Sequence, residues 1–122
     1  MNRWIPAIIV ASAVILIAPA SMRAADITGT YSCAGKNPDG KGYSGKVEIT
    51  KNGDTFRIKW TLVSTESYEG IGILANDVLA VAFSVDNKAG VVSYKVEKGK
   101  LVGKWAVADG KGTVYTETLT KE

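Results

Sequence analysis

Glu117 is the acidic residue whose sequence setting is unusual. It alternates with Tyr115 and Leu119, so in an extended chain all three side chains share one face. A carboxylate directed inward among Tyr and Trp rings can accept hydrogen bonds from a ligand or carry a shifted pKa. The plainer reading is a Glu at the mouth of a fold, bonded to a Tyr hydroxyl or to backbone. Most other acids (Asp39, Asp54, Asp77, Asp86, Asp109) fall in turn-like stretches, and Glu66 and Glu69 stand near one strand start. One acid without a partner is not an enzyme signature, and the chain has no His, so nucleophilic triads lack their base. The sequence therefore predicts no catalytic residue and no cofactor.

Three other constellations dissolve on inspection. Gly40-Lys-Gly-Tyr-Ser-Gly45-Lys46 satisfies a phosphate-loop pattern. However, Val47 stands where Ser or Thr would hold magnesium, and strand-like sequence follows where a helix is needed. Asn37-x-Asp39-Gly40 matches part of a calcium loop, yet Lys41 takes the next acidic position and no Glu closes the loop. Cys33 is the only cysteine, and with no His it cannot build a zinc site of the usual kind. It reads as a buried small hydrophobe, or else as an intermolecular bridge.

The elements that would position these residues are strands. From Ile27 onward the chain alternates with period two, which predicts strands over Ile27–Ala34, Tyr43–Lys51, Thr55–Val63, Ser67–Leu74, Val78–Val85, Val91–Lys98, Leu101–Ala108 and Thr113–Thr120. Asn37-Pro-Asp-Gly40, Asn52-Gly-Asp54, Asn76-Asp77, Asp86-Asn-Lys88, Lys98-Gly-Lys100 and Asp109-Gly110 supply turns between them. Short connections predict a meander, and eight strands dispose of their edges by closing or nearly closing into a small up-and-down antiparallel barrel of lipocalin- or avidin-like architecture. The predicted core is Tyr31, Val47, Ile49, Phe56, Ile58, Trp60, Tyr94, Val96, Leu101, Trp105 and Leu119, with lysines on the opposite face. Candidate ligand-binding residues are Glu117, Tyr115, Trp105, Trp60 and Tyr94.

One region breaks the alternation. Val78-Leu-Ala-Val-Ala-Phe83 is apolar on both faces, and Ile71 and Ile73 precede it. At least part of the set Ile71, Ile73, Leu79, Val81 and Phe83 should face outward as an interface for a weak homodimer or a partner. The competing explanation is a bulge near Gly70 or Gly72 that shifts the alternation, or an open sheet folded on itself with both faces covered.

Charge and leader set the compartment. The 122 residues carry 15 Lys+Arg and 12 Asp+Glu. Residues 1–25 contain Arg3 and Arg23 and no acid, so 13 basic residues face 12 acids in residues 26–122. No basic stripe is left for nucleic acid. Arg3, an apolar run over Ile5–Ile17 and Ala18-Pro-Ala20 have the form of a secretory signal. Cleavage after Ala20, Ala24 or Ala25 would release a single exported domain with no membrane segment.

The mature chain resembles a family of small exported bacterial proteins of poorly defined function, many of them labelled fibronectin-binding protein. The resemblance lies in Gly29-Thr-Tyr31, Asn37-Pro-Asp-Gly40, Tyr43-x-Gly45, the Trp60 strand, Gly70-x-Gly72, Leu79-Ala-Val-Ala82, Gly90-Val-Val-x-Tyr94, Leu101-x-Gly103-x-Trp105 and Glu117-x-Leu119. It implies an extracellular binding role. The expectation is thus a non-enzymatic periplasmic or extracellular binding module for a protein, a matrix component or a small apolar ligand. The alternative is an inhibitor of a secreted or periplasmic hydrolase, presenting a loop such as Lys36–Gly42.

Overall fold

The structure, a computed structural model, describes residues 27–63 and 66–122. The expected leader, residues 1–25, lies outside the described residues. Eight strands follow one another: β1 (Gly29–Lys36), β2 (Gly42–Asn52), β3 (Thr55–Leu62), β4 (Ser67–Ala75), β5 (Val78–Val85), β6 (Lys88–Glu97), β7 (Lys100–Val107) and β8 (Tyr115–Lys121). Each pairs antiparallel with the next, and β1 pairs with β8, so the meander closes into a barrel without edges. The strand order and count match the sequence reading, with bounds displaced by up to three residues. The largest displacement is at β6. There Asp86 and Asn87 both take positive φ, as a tight type I′-like turn requires, and Lys88 already pairs with Val85.

The alternation holds around most of the wall. Tyr31, Cys33, Val47, Ile49, Phe56, Ile58, Trp60, Tyr94, Leu101 and Leu119 are buried, and Val96 and Trp105 pack against them half-buried. Lys46, Glu48, Arg57, Lys59, Lys95 and Lys104 lie outside.

The set Ile71, Ile73, Leu79, Val81 and Phe83 does not form one surface. Ile71 (57 % exposed) and Ile73 (62 %) point outward, whereas Leu79 and Val81 are buried and Phe83 packs against the core. The cause lies in β4, which turns glycines rather than large residues inward. A Cβ on Gly70 would stand 2.9 Å from Val81 and 3.1 Å from Trp60, and one on Gly72 would stand 3.0 Å from both Ile58 and Leu79. Side chains from β3 and β5 already fill the space inside β4, so its isoleucines keep the outer face. The strand is in register, and no bulge is needed to explain it.

The two ends of the barrel differ. At one end the hairpins close through Gly53-Asp54, Asn76-Asp77 and Lys98-Gly99. Ile27 is buried beneath them, its carbonyl accepting a hydrogen bond from the Tyr31 hydroxyl at 2.8 Å. At the other end the longer connections 37–41 and 108–114, together with Glu66, stand around a mouth.

Candidate functional site

The mouth leads into a cavity of about 310 Å³ whose walls include Tyr43, Trp60, Phe83 and Trp105 together with the buried Glu117. That volume is at the small end of ligand pockets, which run from about 300 to 1,000 Å³. Glu117 is 5 % exposed and is the only buried charged residue among those described.

Strand register explains how Glu117 is held. On β8 it lies directly between Gly35 of β1 and Gly103 of β7. Beyond Gly35 comes Tyr43 of β2, and beyond Gly103 comes Tyr94 of β6. The row across the inner wall is therefore Tyr, Gly, Glu, Gly, Tyr. Each tyrosine ring leans over its glycine, where a Cβ would collide with it: the Tyr43 ring blocks Gly35, and the Tyr94 ring lies 2.6 Å from a Cβ placed on Gly103. Leaning inward from opposite sides brings both hydroxyls to the same carboxylate. Tyr43 donates to Oε1 at 2.6 Å, Tyr94 donates to Oε2, and the Trp60 indole Nε1–H donates to Oε2 at 3.0 Å. An ionised carboxylate is acceptor-only, and this cluster supplies three donors to it.

The surroundings respond to that charge. Burial first, and then the Glu117 charge and hydrogen bond, push the Tyr43 and Tyr94 hydroxyls well above the usual phenol range. The same causes push the Cys33 thiol up. A buried thiol held in its protonated form is a poor nucleophile, and its burial removes the intermolecular bridge from the two readings of Cys33.

Trp105 contributes differently. Its ring stacks on Tyr115 with centroids 4.8 Å apart and meets Tyr43 edge-on at 6.4 Å. Its Nε1 is buried and has no hydrogen-bond partner, although the indole lies close enough to Tyr43 to favour that residue's ionised form slightly. A buried donor without an acceptor costs about 1–3 kcal/mol.

Of the five residues expected at a site, Glu117, Trp60 and Trp105 line the cavity. Tyr94 is fully buried and supports Glu117, and Tyr115 backs Trp105. Sequence reasoning missed Tyr43, which opens a strand among Gly and Ser, and placed Phe83 at an interface. The available signal for Phe83 was its alternation with Leu79 and Val81. For Tyr43 it was the partnership with Gly35, visible only once the β1–β2 register is known. The rim adds exposed Glu66, Asp86 and Asp109, and the one lining cation, Lys88, is paired with Asp109 at 3.1 Å. A second hollow, of about 450 Å³ at the closed end, is walled partly by exposed Lys98, Lys100 and Lys121, and the buried Tyr31 hydroxyl in its wall is already bonded to the Ile27 carbonyl.

No family model and no curated protein matches the chain. Solved structures do. A redesigned β-barrel aligns with a TM-score of 0.66 at 18 % identity, covering 82 % of this chain and 95 % of that one. The redesigned barrel mFAP1, bound to DFHBI, aligns at 0.60 with 18 % identity over 78 % and 94 % of the two chains. The REP1-NXSQ fatty acid transporter aligns at 0.54 with 15 % identity over 80 % and 97 %. At these identities the likeness is one of fold.

Proposed function

We propose that this protein is a non-enzymatic, exported binding module that holds a small ligand with an apolar body in the open end of its barrel. The observation that carries the reading is the cavity itself. It is aromatic-walled, opens through one mouth, and contains both a carboxylate that accepts three hydrogen bonds and a buried indole donor still lacking an acceptor. A ligand oxygen or nitrogen accepting from Trp105 Nε1 would complete that donor, while burial of its apolar body would contribute about 25 cal/mol per Å². The similar barrels that hold DFHBI or are named for fatty acid transport support a fold suited to such use. Export rests on the leader, and the matrix-binding role implied by the family resemblance is a separate proposal that the cavity does not require.

Native mass spectrometry of the purified protein, with quenching of tryptophan fluorescence by a panel of apolar small molecules, tests the reading. Saturable one-to-one binding is expected, lost in a Leu62→Trp variant that fills the mouth. Binding that survives Leu62→Trp unchanged would place the ligand elsewhere and overturn it.

A further inference from the structure

The charge inside the cavity has one sign. Among the described residues Glu117 sits in the barrel without a buried cation: none of those packed within the wall is Lys or Arg, and its three hydrogen-bond donors, Tyr43, Tyr94 and Trp60, are neutral groups. Neutral donors satisfy the lone pairs of a carboxylate but leave its net charge in place. In a low-dielectric interior that charge acts over longer distances than in water. The lining acids at the rim have the same sign, and Lys88 is engaged by Asp109. Lys41 and Lys111 stand on the mouth loops but do not line the cavity.

The walls are also of the kind that receives a positive charge. Tyr43, Trp60 and Trp105 present π systems around the space beside Glu117, and the faces of such rings attract cations, most strongly when water is excluded. Because Tyr43, Trp60 and Tyr94 already take three of the about four acceptor sites of Glu117, the fitting cation is one that need not donate a hydrogen bond to the carboxylate. An alkylated ammonium meets that condition, since it interacts through its charge and its methyl surface. A ligand carboxylate would instead be placed beside a like charge, with the lining ammonium of Lys88 at the rim and already paired to Asp109, a costly arrangement in a dry site.

Building on the cavity-binding reading, we infer that the ligand is an organic cation, an alkylated ammonium with a short apolar body. Its charge lies among the rings of Tyr43, Trp60 and Trp105, opposite Glu117. This choice separates the protein from a barrel that carries fatty acids, whose head group has the opposite sign.

Isothermal titration of the full chain at low ionic strength with hexyltrimethylammonium, hexanol and heptanoate tests the inference, because the three probes share a tail and differ in charge. The ammonium is expected to bind at least ten-fold more tightly than hexanol, and heptanoate most weakly. Glu117→Gln should bring the ammonium and the alcohol within about two-fold of each other. Equal binding of ammonium and alcohol to the wild type, or tightest binding of heptanoate, would overturn the cation while leaving cavity binding intact. Absence of binding by all three would remove the cavity reading on which it rests. Should Glu117→Gln fail to fold, the wild-type comparison decides by itself.

Discussion

At the closed end of the barrel Ile27 is drawn under the strands by the Tyr31 hydroxyl, and Ile49, Leu79 and Leu101 fill the interior with aliphatic side chains. At the open end the same eight strands carry Tyr43, Trp60 and Trp105 around Glu117 and leave about 310 Å³ between them. The connections differ in the same sense, tight turns at the closed end and longer loops around most of the mouth. Close packing supplies stability, because every buried methyl touches another. A binding cavity forgoes some of those contacts and leaves a donor such as Trp105 Nε1 without a partner. The difference teaches that one wall can divide the two tasks along its length, with the closed end stabilising a site that the open end could not stabilise alone.

That division is sharpest in truncations. Leu79→Ala, at a fully buried position among Ile58, Val81 and Tyr94, should cost about 2–5 kcal/mol in urea unfolding. Leu62→Ala, half-buried at the mouth, should cost about 1 kcal/mol, because water can enter the space it leaves. Equal losses would break the distinction between the ends.

The next effect is on pH. The raised phenols of Tyr43 and Tyr94 and the raised thiol of Cys33 stay protonated in the folded barrel, whereas in the unfolded chain they ionise near their ordinary values. Above those values the unfolded state binds fewer protons, so stability falls as pH rises. The loss should begin near pH 9 with the thiol and steepen above pH 10 with the tyrosines, by about 1.4 kcal/mol per pH unit for each ionising group. Chemical denaturation between pH 7 and 11 measures it. Tyr94→Phe should flatten the curve above pH 10, and an unchanged slope would show that Tyr94 ionises as readily in the folded barrel as in the unfolded chain.

The smallest effect belongs to the outer wall. Ile73→Lys, at a position 62 % exposed, should alter stability by no more than about 0.5 kcal/mol, despite replacing a large aliphatic residue with a charge. A melting temperature lowered by several degrees would mean that the face is covered by something in solution.

How far the residues announced this arrangement varies along the chain. Period two placed Trp60, Trp105, Tyr94 and Glu117 inside, since alternate side chains in a strand must take opposite faces. The same rule was ambiguous at β4 and β5, where apolar residues occupy both parities. There Ile71 and Ile73 carry more apolar surface than Gly70 and Gly72, yet it is the glycines that face inward. Hydrophobicity alone does not measure the room left by Trp60, Val81 and Leu79.

The strand count, antiparallel order and inward course of Glu117 were determined by the sequence itself, because turn chemistry and side-chain alternation act between neighbouring residues. The meeting of Tyr43 and Tyr94 on Glu117 was decided by the closed barrel. It depends on β1, β2, β6, β7 and β8 aligning so that two glycines flank the carboxylate and two rings cross them. That alignment is a property of the register around the whole ring of strands. Tyr94, 23 positions from Glu117, reaches it through β7, but Tyr43, 74 positions away, becomes its neighbour only when β8 returns to β1 and shuts the wall.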